Sequence, residues 1–259
     1  MPLGRNKWAE AVVLKAVQPV LEWVSTPTFE GFVTRLLIGR AASLPADNAL
    51  RFLFRLNTAI YPLLGRKAVE YGGGVHTKHR HTRYHDFFTQ RIRAGERVLD
   101  IGCGVGVVAF DIAQQTGAAV VGIDLSSDNI ATARERYRHP QVEYRVQDGL
   151  QDCLDGPFDV VVLSNILEHL PDRPAFLRRI RDVTKASRIL IRVPLFERDW
   201  QVPLKRELGV EWRLDTTHET EYTHESFAQE MVDAGIEVVH QEVRWGEIWA
   251  EAVTNGSQS

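Results

Sequence analysis

Downstream of Arg97 the chain alternates short β-branched runs with stretches of helical period. The runs are Arg97 to Asp100, Ala119 to Asp124, Val142 to Val146, Phe158 to Leu163 and Arg188 to Val193. Helix-like spacers separate them at Val107 to Thr116, Asp128 to Arg138 and Arg173 to Thr184. Strand and helix alternating in that order predict βαβ units, and hence a mostly parallel sheet with helices on both faces. A further helix is predicted from His224 to Ala234, stopped by Gly235, and Ile236 to Trp245 with Glu247 to Val253 read as a hairpin turning at Gly246. The expected fold class is therefore α/β: a Rossmann-like, mostly parallel sheet of seven strands that ends in a C-terminal β-hairpin.

The front of the chain follows a different pattern. Apolar residues recur at helical spacing over Trp8 to Val24, Phe29 to Ile38 and Ala46 to Leu64, with Pro19, Pro27, Pro45 and Pro62 as breaks. Gly72-Gly73-Gly74 punctuates the chain, and another helix, His79 to Arg93, runs up to Gly95. A helical segment over 1–75 is thus expected to precede a main domain over 76–259. Residues 194–223 form a polar and aromatic insertion, and insertions of that length at the strand ends of such a sheet are usually lids or binding loops.

Composition excludes disordered and fibrous classes: at 259 residues, 44% hydrophobic and 25% charged, the chain can bury one large core plus an appended segment. Cys103 and Cys153 are too few for a disulfide framework and read as small packing residues. No secretory leader opens the sequence and no apolar run is long enough to span a bilayer, so a cytoplasmic protein without a transmembrane helix is expected. The net charge of -3 hides an asymmetry, because residues 1–96 hold 14 Lys or Arg against 7 Asp or Glu while the remainder holds 17 against 27. A basic front suits an anionic membrane surface or a phosphorylated substrate, although solvated helices would show the same balance. The acidic body disfavours nucleic acid as a partner. Oligomeric state is not legible.

The first candidate chemistry sits where a strand meets a helix. Asp100-Ile101-Gly102-Cys103-Gly104-Val105-Gly106 is a glycine-rich turn whose missing side chains let a ligand approach the backbone and the helix N-terminus. Asp124 ends the next strand, 18 residues after Gly106, where a carboxylate can accept hydrogen bonds from both hydroxyls of a ribose. A dinucleotide-binding dehydrogenase would want Gly-x-Gly-x-x-Gly, but position 107 is Val. If Asp124 and Asp148 were only loop caps, three correctly ordered signals would need a separate explanation.

Val98 to Gly106 resembles the first motif of class I S-adenosylmethionine-dependent methyltransferases, and the resemblance extends over roughly 76 to 193. It implies S-adenosylmethionine as cofactor, with Asp100, Gly102, Cys103, Gly104 and Gly106 around its methionine part and Asp124 on its ribose. It also implies Asp148, beside Gly149, on the adenine amino group, and Leu125 packed on the adenine face. Ser164-Asn165, opening the motif after the fourth strand, would face the sulfonium and the incoming acceptor, and Tyr84 or Arg83 would lie near the methionine carboxylate. The expected function is methyl transfer to a small molecule or glycan, at oxygen. A nucleic-acid methyltransferase and a silent cofactor-binding scaffold are the rivals.

In-line methyl transfer needs the acceptor aligned, and a hydroxyl acceptor benefits from a base or metal besides. Glu168, His169 and His218 are the catalytic candidates, with Glu219, Asp199 and His224 behind them. Glu168-His169 resembles the end of the Glu-x-x-Glu-His metal site of ubiquinone-pathway O-methyltransferases and plant small-RNA 2′-O-methyltransferases, but Asn165 stands at the first acidic position. No metal ligand is therefore assigned, and a divalent ion completed by His218 remains the alternative. His81 and His85, four apart in a group with His76 and His79, are expected on one helix face. The insertion, with Trp200 and Trp212 among paired charges, suits either a polar ring or a rigid salt-bridged loop.

Overall fold

The computed structural model describes residues 15, 18, 23–152, 154 and 156–254. Most of the predicted helix Trp8 to Val24, and Cys153, lie outside the described residues. The chain divides into two compact units, 1–60 and 61–259. In the first, helix α1 (Thr26–Ala42) starts with a proline in its first turn, and α2 begins at Ala46 and runs on to Tyr71. It continues through Pro62, where a break was predicted, and the residues on both sides of that proline are helical.

The second unit carries the expected sheet. Its strands are β1 (Arg97–Ile101), β2 (Ala119–Asp124), β3 (Val142–Val146), β4 (Val160–Ser164), β5 (Arg188–Pro194), β6 (Ile236–Arg244) and β7 (Glu247–Thr254), in the order β3-β2-β1-β4-β5-β7-β6. The first five are parallel, and β7 pairs antiparallel with β5 and β6. Parallel strands covered on both faces read as unbroken apolar runs, and β4 buries four consecutive residues, Val160 to Leu163.

Two cores flank this sheet. One gathers Leu177 and Ile180 of α3 (Arg173–Thr184) with Phe227 and Met231 of α4 (His224–Ala234). The other gathers Phe87 and Phe88 of the turn helix His85–Thr89, Ile112 of α5 (Val107–Thr116) and Ile130 of α6 (Ser127–Arg136). Helix starts are capped where sequence provides for it: Ser126 accepts from Asn129 N–H, Asp172 from Ala175 N–H, and Thr223 forms a capping box with Ser226. Helix α5 begins instead at Gly106 with no side-chain cap, which leaves that end for something else to satisfy.

The predicted helix over His79 to Arg93 is two short pieces, Lys78–Thr82 and His85–Thr89. Arg83 breaks it by adopting φ +47°, so exposed His81 and buried His85 do not share a helix face as expected. The insertion after β5 holds a 3₁₀ turn, Phe196–Arg198, and a helix, Gln201–Glu207. It is pinned to the sheet by Tyr222, whose backbone exchanges bonds with Pro194 and Phe196 and whose ring is fully buried against Phe227.

Trp249 of β7 is buried, with Phe87 and Phe88 ring centroids at 5.3 and 6.0 Å and the Arg192 guanidinium at 5.0 Å. Trp249→Ala is expected to lower stability by about 3–5 kcal/mol in urea unfolding. A loss below about 1 kcal/mol would mean that the hairpin does not hold the helix before β1.

Candidate active site

Sequence order reverses between β1 and β4, and the elements that follow them leave toward opposite faces of the sheet, so a crevice opens at their C-terminal ends. Two cavities meet there and share Gly102. One, of about 300 Å³, is lined by Asp124, Leu125, Asp148, Gly149, Ile166, His169 and Phe176 among others. The second, of about 250 Å³, is lined by Lys78, Tyr84, Asp100, Cys103, Asn165 and Arg192 among others.

The wall between them is backbone. Gly102 has φ +69°, and a Cβ there would stand 2.0 Å from Ile166 Cδ1, so the turn leaves no room for any side chain. The Gly102 and Cys103 amides donate to the Ile123 carbonyl at 2.8 and 2.9 Å, tying the turn to β2. Asp124 Oδ2 accepts from Gly104 N–H at 2.9 Å, and its Oδ1 from Ser126 N–H at 2.8 Å. Asp124 is thus a loop cap and a cavity-lining group at once, since each carboxylate oxygen accepts more than one bond. Asp148 caps the Leu150 amide at 2.7 Å from the same cavity. Leu125 is an exposed lip, and Gly106 meets the Tyr144 ring, where a Cβ would sit 2.7 Å from it.

The second cavity is polar. Asp100 is 2% exposed, its Oδ2 has no hydrogen-bond partner, and burial, followed by the charge of Asp124, pushes its carboxyl up to about 7. Asn165 holds φ +59°, and its Oδ1 is also buried without a partner. Arg192 is clamped by both oxygens of Glu247, at 2.7 and 2.8 Å, and lies 4.2 Å from the Tyr84 ring centre. Burial raises the Tyr84 hydroxyl to about 12, which keeps it protonated. Cys103 is a free, buried thiol pushed up by burial, so it has no thiolate to offer.

A third group lies beside the first cavity. Glu168, His169 and His218 each offer a ligand atom, all within 4.8 Å of one another. Glu168 is fully buried, neither side-chain oxygen has a partner, and burial pushes its carboxyl up to about 7. His169 is exposed, its Nδ1 lies 3.1 Å from Thr217 Oγ1, and burial and His218 lower its pKa. His218 is buried 4.7 Å from His169, ring to ring, and its Nδ1 faces Glu221 Oε1 at 3.3 Å. Glu221 also pairs with Arg198 and takes the Leu214 amide. The other candidates have local duties: Asp199 caps Gln201, His224 bonds Gln241, and the Glu219 amide donates to the Glu168 carbonyl at 2.8 Å.

Sequence reasoning missed Lys78, Phe176, Arg192 and Glu221 at these sites. Arg192 had a signal, being a lone charge inside the otherwise apolar run Ile189 to Val193. Glu221 had none, as one carboxylate among several in a polar stretch.

Residues 62–241 match a family model described as a methyltransferase domain. The chain belongs to that family, the class I S-adenosylmethionine-dependent methyltransferases. A ubiquinone biosynthesis O-methyltransferase of Rhodopseudomonas palustris is 31% identical over 57% of this chain and 61% of its own length. Methyltransferase GfsG of Streptomyces halstedii is 36% identical over 36% of each. The chain thus spans less than two thirds of either curated relative. Among solved structures, magnesium protoporphyrin IX methyltransferase from Synechocystis with bound SAH superposes with TM-score 0.55 at 20% identity, over 68% of this chain and 84% of that one. A small RNA methyltransferase gives 0.56 at 17%, over 68% of this chain and 25% of that one.

The raised Asp100 carboxyl carries a signed consequence. A carboxyl that binds its proton more tightly when folded stabilises fully below its unfolded value, 3.8, and the contribution is lost as pH rises through about 7. Asp100→Asn should therefore gain stability over the parent, without added ligand, by up to ~1.4 kcal/mol per pH unit across that window. Parallel pH profiles of the two proteins in urea unfolding would show that Asp100 titrates normally.

Proposed function

We propose that this chain methylates an oxygen of a small molecule, with S-adenosylmethionine held across the two cavities and the acceptor presented beside Glu168, His169 and His218. The carrying observation is the pair of buried, unpartnered acceptors, Asp100 Oδ2 and Asn165 Oδ1, facing one cavity with a fixed guanidinium. Unpartnered buried acceptors want donors, and a zwitterion with an ammonium for Asp100 and Asn165 and a carboxylate for Lys78 and Arg192 satisfies every group there. The methionine part of the cofactor is such a zwitterion. Asp124 and Asp148 then serve the ribose and the adenine in the neighbouring cavity, whose apolar lining from Ile101, Ile123, Ile166 and Phe176 suits a flat ring.

Bound, the cofactor supplies an electrophilic methyl on a sulfonium, to be attacked in line by the acceptor oxygen as the S–CH₃ bond breaks. The chain's own residues align that oxygen and take up its proton. The lowered pKa of His169 leaves it neutral near pH 7, so a lone pair is available as base. Glu221 sets the His218 ring through Nδ1 and leaves Nε2 for the site. The same three side chains fit a divalent cation, because Glu168 is a buried carboxylate with both oxygens unpartnered and two imidazoles beside it. Glu168, His169 and His218 would hold that ion, which would supply positive charge to acidify the acceptor hydroxyl. The chain's similarity to ubiquinone biosynthesis O-methyltransferases supports oxygen as the methylated atom.

Asp124→Ala should weaken S-adenosylhomocysteine binding by about one to two orders of magnitude in calorimetry. A folded variant with unchanged affinity would remove the cofactor assignment.

His169→Ala and His218→Ala should each cost roughly 10²- to 10⁴-fold in turnover with a hydroxyl acceptor and leave S-adenosylhomocysteine affinity unchanged. Loss of activity to EDTA, restored by Mg²⁺ or Mn²⁺, assigns the ion, whereas insensitivity to EDTA assigns His169 as base. Near-normal turnover in both variants would rule out hydroxyl activation at these residues.

A further inference from the structure

The described residues of the first compact unit bury almost nothing. Among its described residues up to Ile60, Phe54 alone is buried, and α1 has no buried residue at all. Yet α1 is rich in large apolar side chains. Phe29, Phe32 and Leu36, at spacings of three and four, form one stripe and are 40%, 58% and 56% exposed. Trp23, just before the helix, is 91% exposed. Contiguous aromatic and aliphatic side chains left in water mark a surface that meets an apolar phase.

We propose that this helical front docks the protein on an anionic membrane surface, with the Phe29–Phe32–Leu36 stripe entering the interface and nearby arginines meeting lipid phosphates. Charge selects this occupant. Over residues 26–60 the chain carries Arg35, Arg40, Arg51 and Arg55 against Glu30 and Asp47, and Arg35, Arg40 and Arg55 are exposed. A second copy of this chain would meet the segment with the same net positive charge, whereas an anionic bilayer supplies an apolar phase and opposite charge at once. Arginine stems also reach from an apolar surface to headgroups without burying their charge. The helix lies on the bilayer and does not cross it: α1 is 17 residues long with Glu30 and Arg35 inside it, and no described helix is long and apolar enough to span.

The test uses the full chain in co-sedimentation with vesicles of phosphatidylcholine alone or with about one third phosphatidylglycerol. The parent should pellet with the anionic vesicles, less so at high salt, where screening weakens the arginine contacts. Phe29→Glu/Phe32→Glu/Leu36→Glu should lose at least about tenfold in affinity while keeping its helix content and its S-adenosylhomocysteine affinity. Arg35→Gln/Arg40→Gln/Arg55→Gln should lose only the anionic component. Equal binding of parent and Glu variant, or a parent that ignores anionic vesicles, overturns the proposal. A parent dimer that the Glu variant converts to monomer in light scattering also overturns it, by naming a second copy as the occupant.

Discussion

A carboxylate oxygen taken out of water without a hydrogen-bond partner is among the costliest groups a fold can carry, and among the described residues Asp100 holds one and Glu168 two. Both stand at the C-terminal edge of the sheet, one closing β1 and the other in the 3₁₀ turn just after β4. The strands beneath them are buried on both faces, which fixes each group where water would otherwise relieve it. Burial answers the cost by raising both carboxyls to about 7, so each can hold a proton while nothing cationic is near. A positive group arriving at either place meets an acceptor already oriented and already stripped of water, which is the condition under which electrostatic recognition is strongest.

The antiparallel hairpin at the end of the chain belongs to the same arrangement. Pairing of β5 with β7 sets Arg192 opposite Trp249 and Pro194 opposite Glu247. The hairpin thereby delivers both partners that hold Arg192 still: a carboxylate gripping its guanidinium from one side and an indole beneath it. Tyr84, from the segment before β1, covers the guanidinium from another direction. A cation fixed in this way keeps its charge without being free to collapse onto Asp100, and the cavity between them persists.

Much of this was legible in the sequence, and the reason differs from one element to the next. Strand–helix alternation announced β1 to β5 because a buried parallel strand must be apolar throughout, and Gly246 announced the hairpin because its turn requires positive φ. Asp124 and Gly102 were legible because backbone geometry dictates their residue types. The break at Arg83 was not, since a non-glycine residue at φ +47° leaves no mark in a helical pattern. Nor did the run through Pro62 show itself, because a proline inside a helical pattern ordinarily ends or kinks the helix. The meeting of His218 with Glu168 and His169 was suggested by residue type alone: His218 lies 49 positions after His169, and only the docking of the insertion brings them together.

That docking differs in kind from the construction of the cofactor crevice. The crevice is shaped by main chain, with Gly102, Cys103 and Gly104 amides bound to β2 and its terminal Asp124, so few side-chain changes can move it. The insertion is ordered instead by paired charges. Arg198 grips the buried Glu221 and the Trp212 carbonyl, Arg213 grips Glu211 and the His218 carbonyl, and Glu221 turns the His218 ring. Aromatic rings of Phe196 and Trp212 lie under Arg206 at 5.5 and 5.6 Å, adding to a network that packs around charge. Hydrogen-bonded charges specify direction as well as contact, so they can hold a loop of this length in one shape where apolar packing alone would permit several. Under the proposed function the consequence is a division of labour: the half of the site that would read the cofactor is rigid by backbone, and the half that would face the acceptor is rigid by side-chain chemistry. Substitution can alter that chemistry piece by piece while the fold beneath it stays the same.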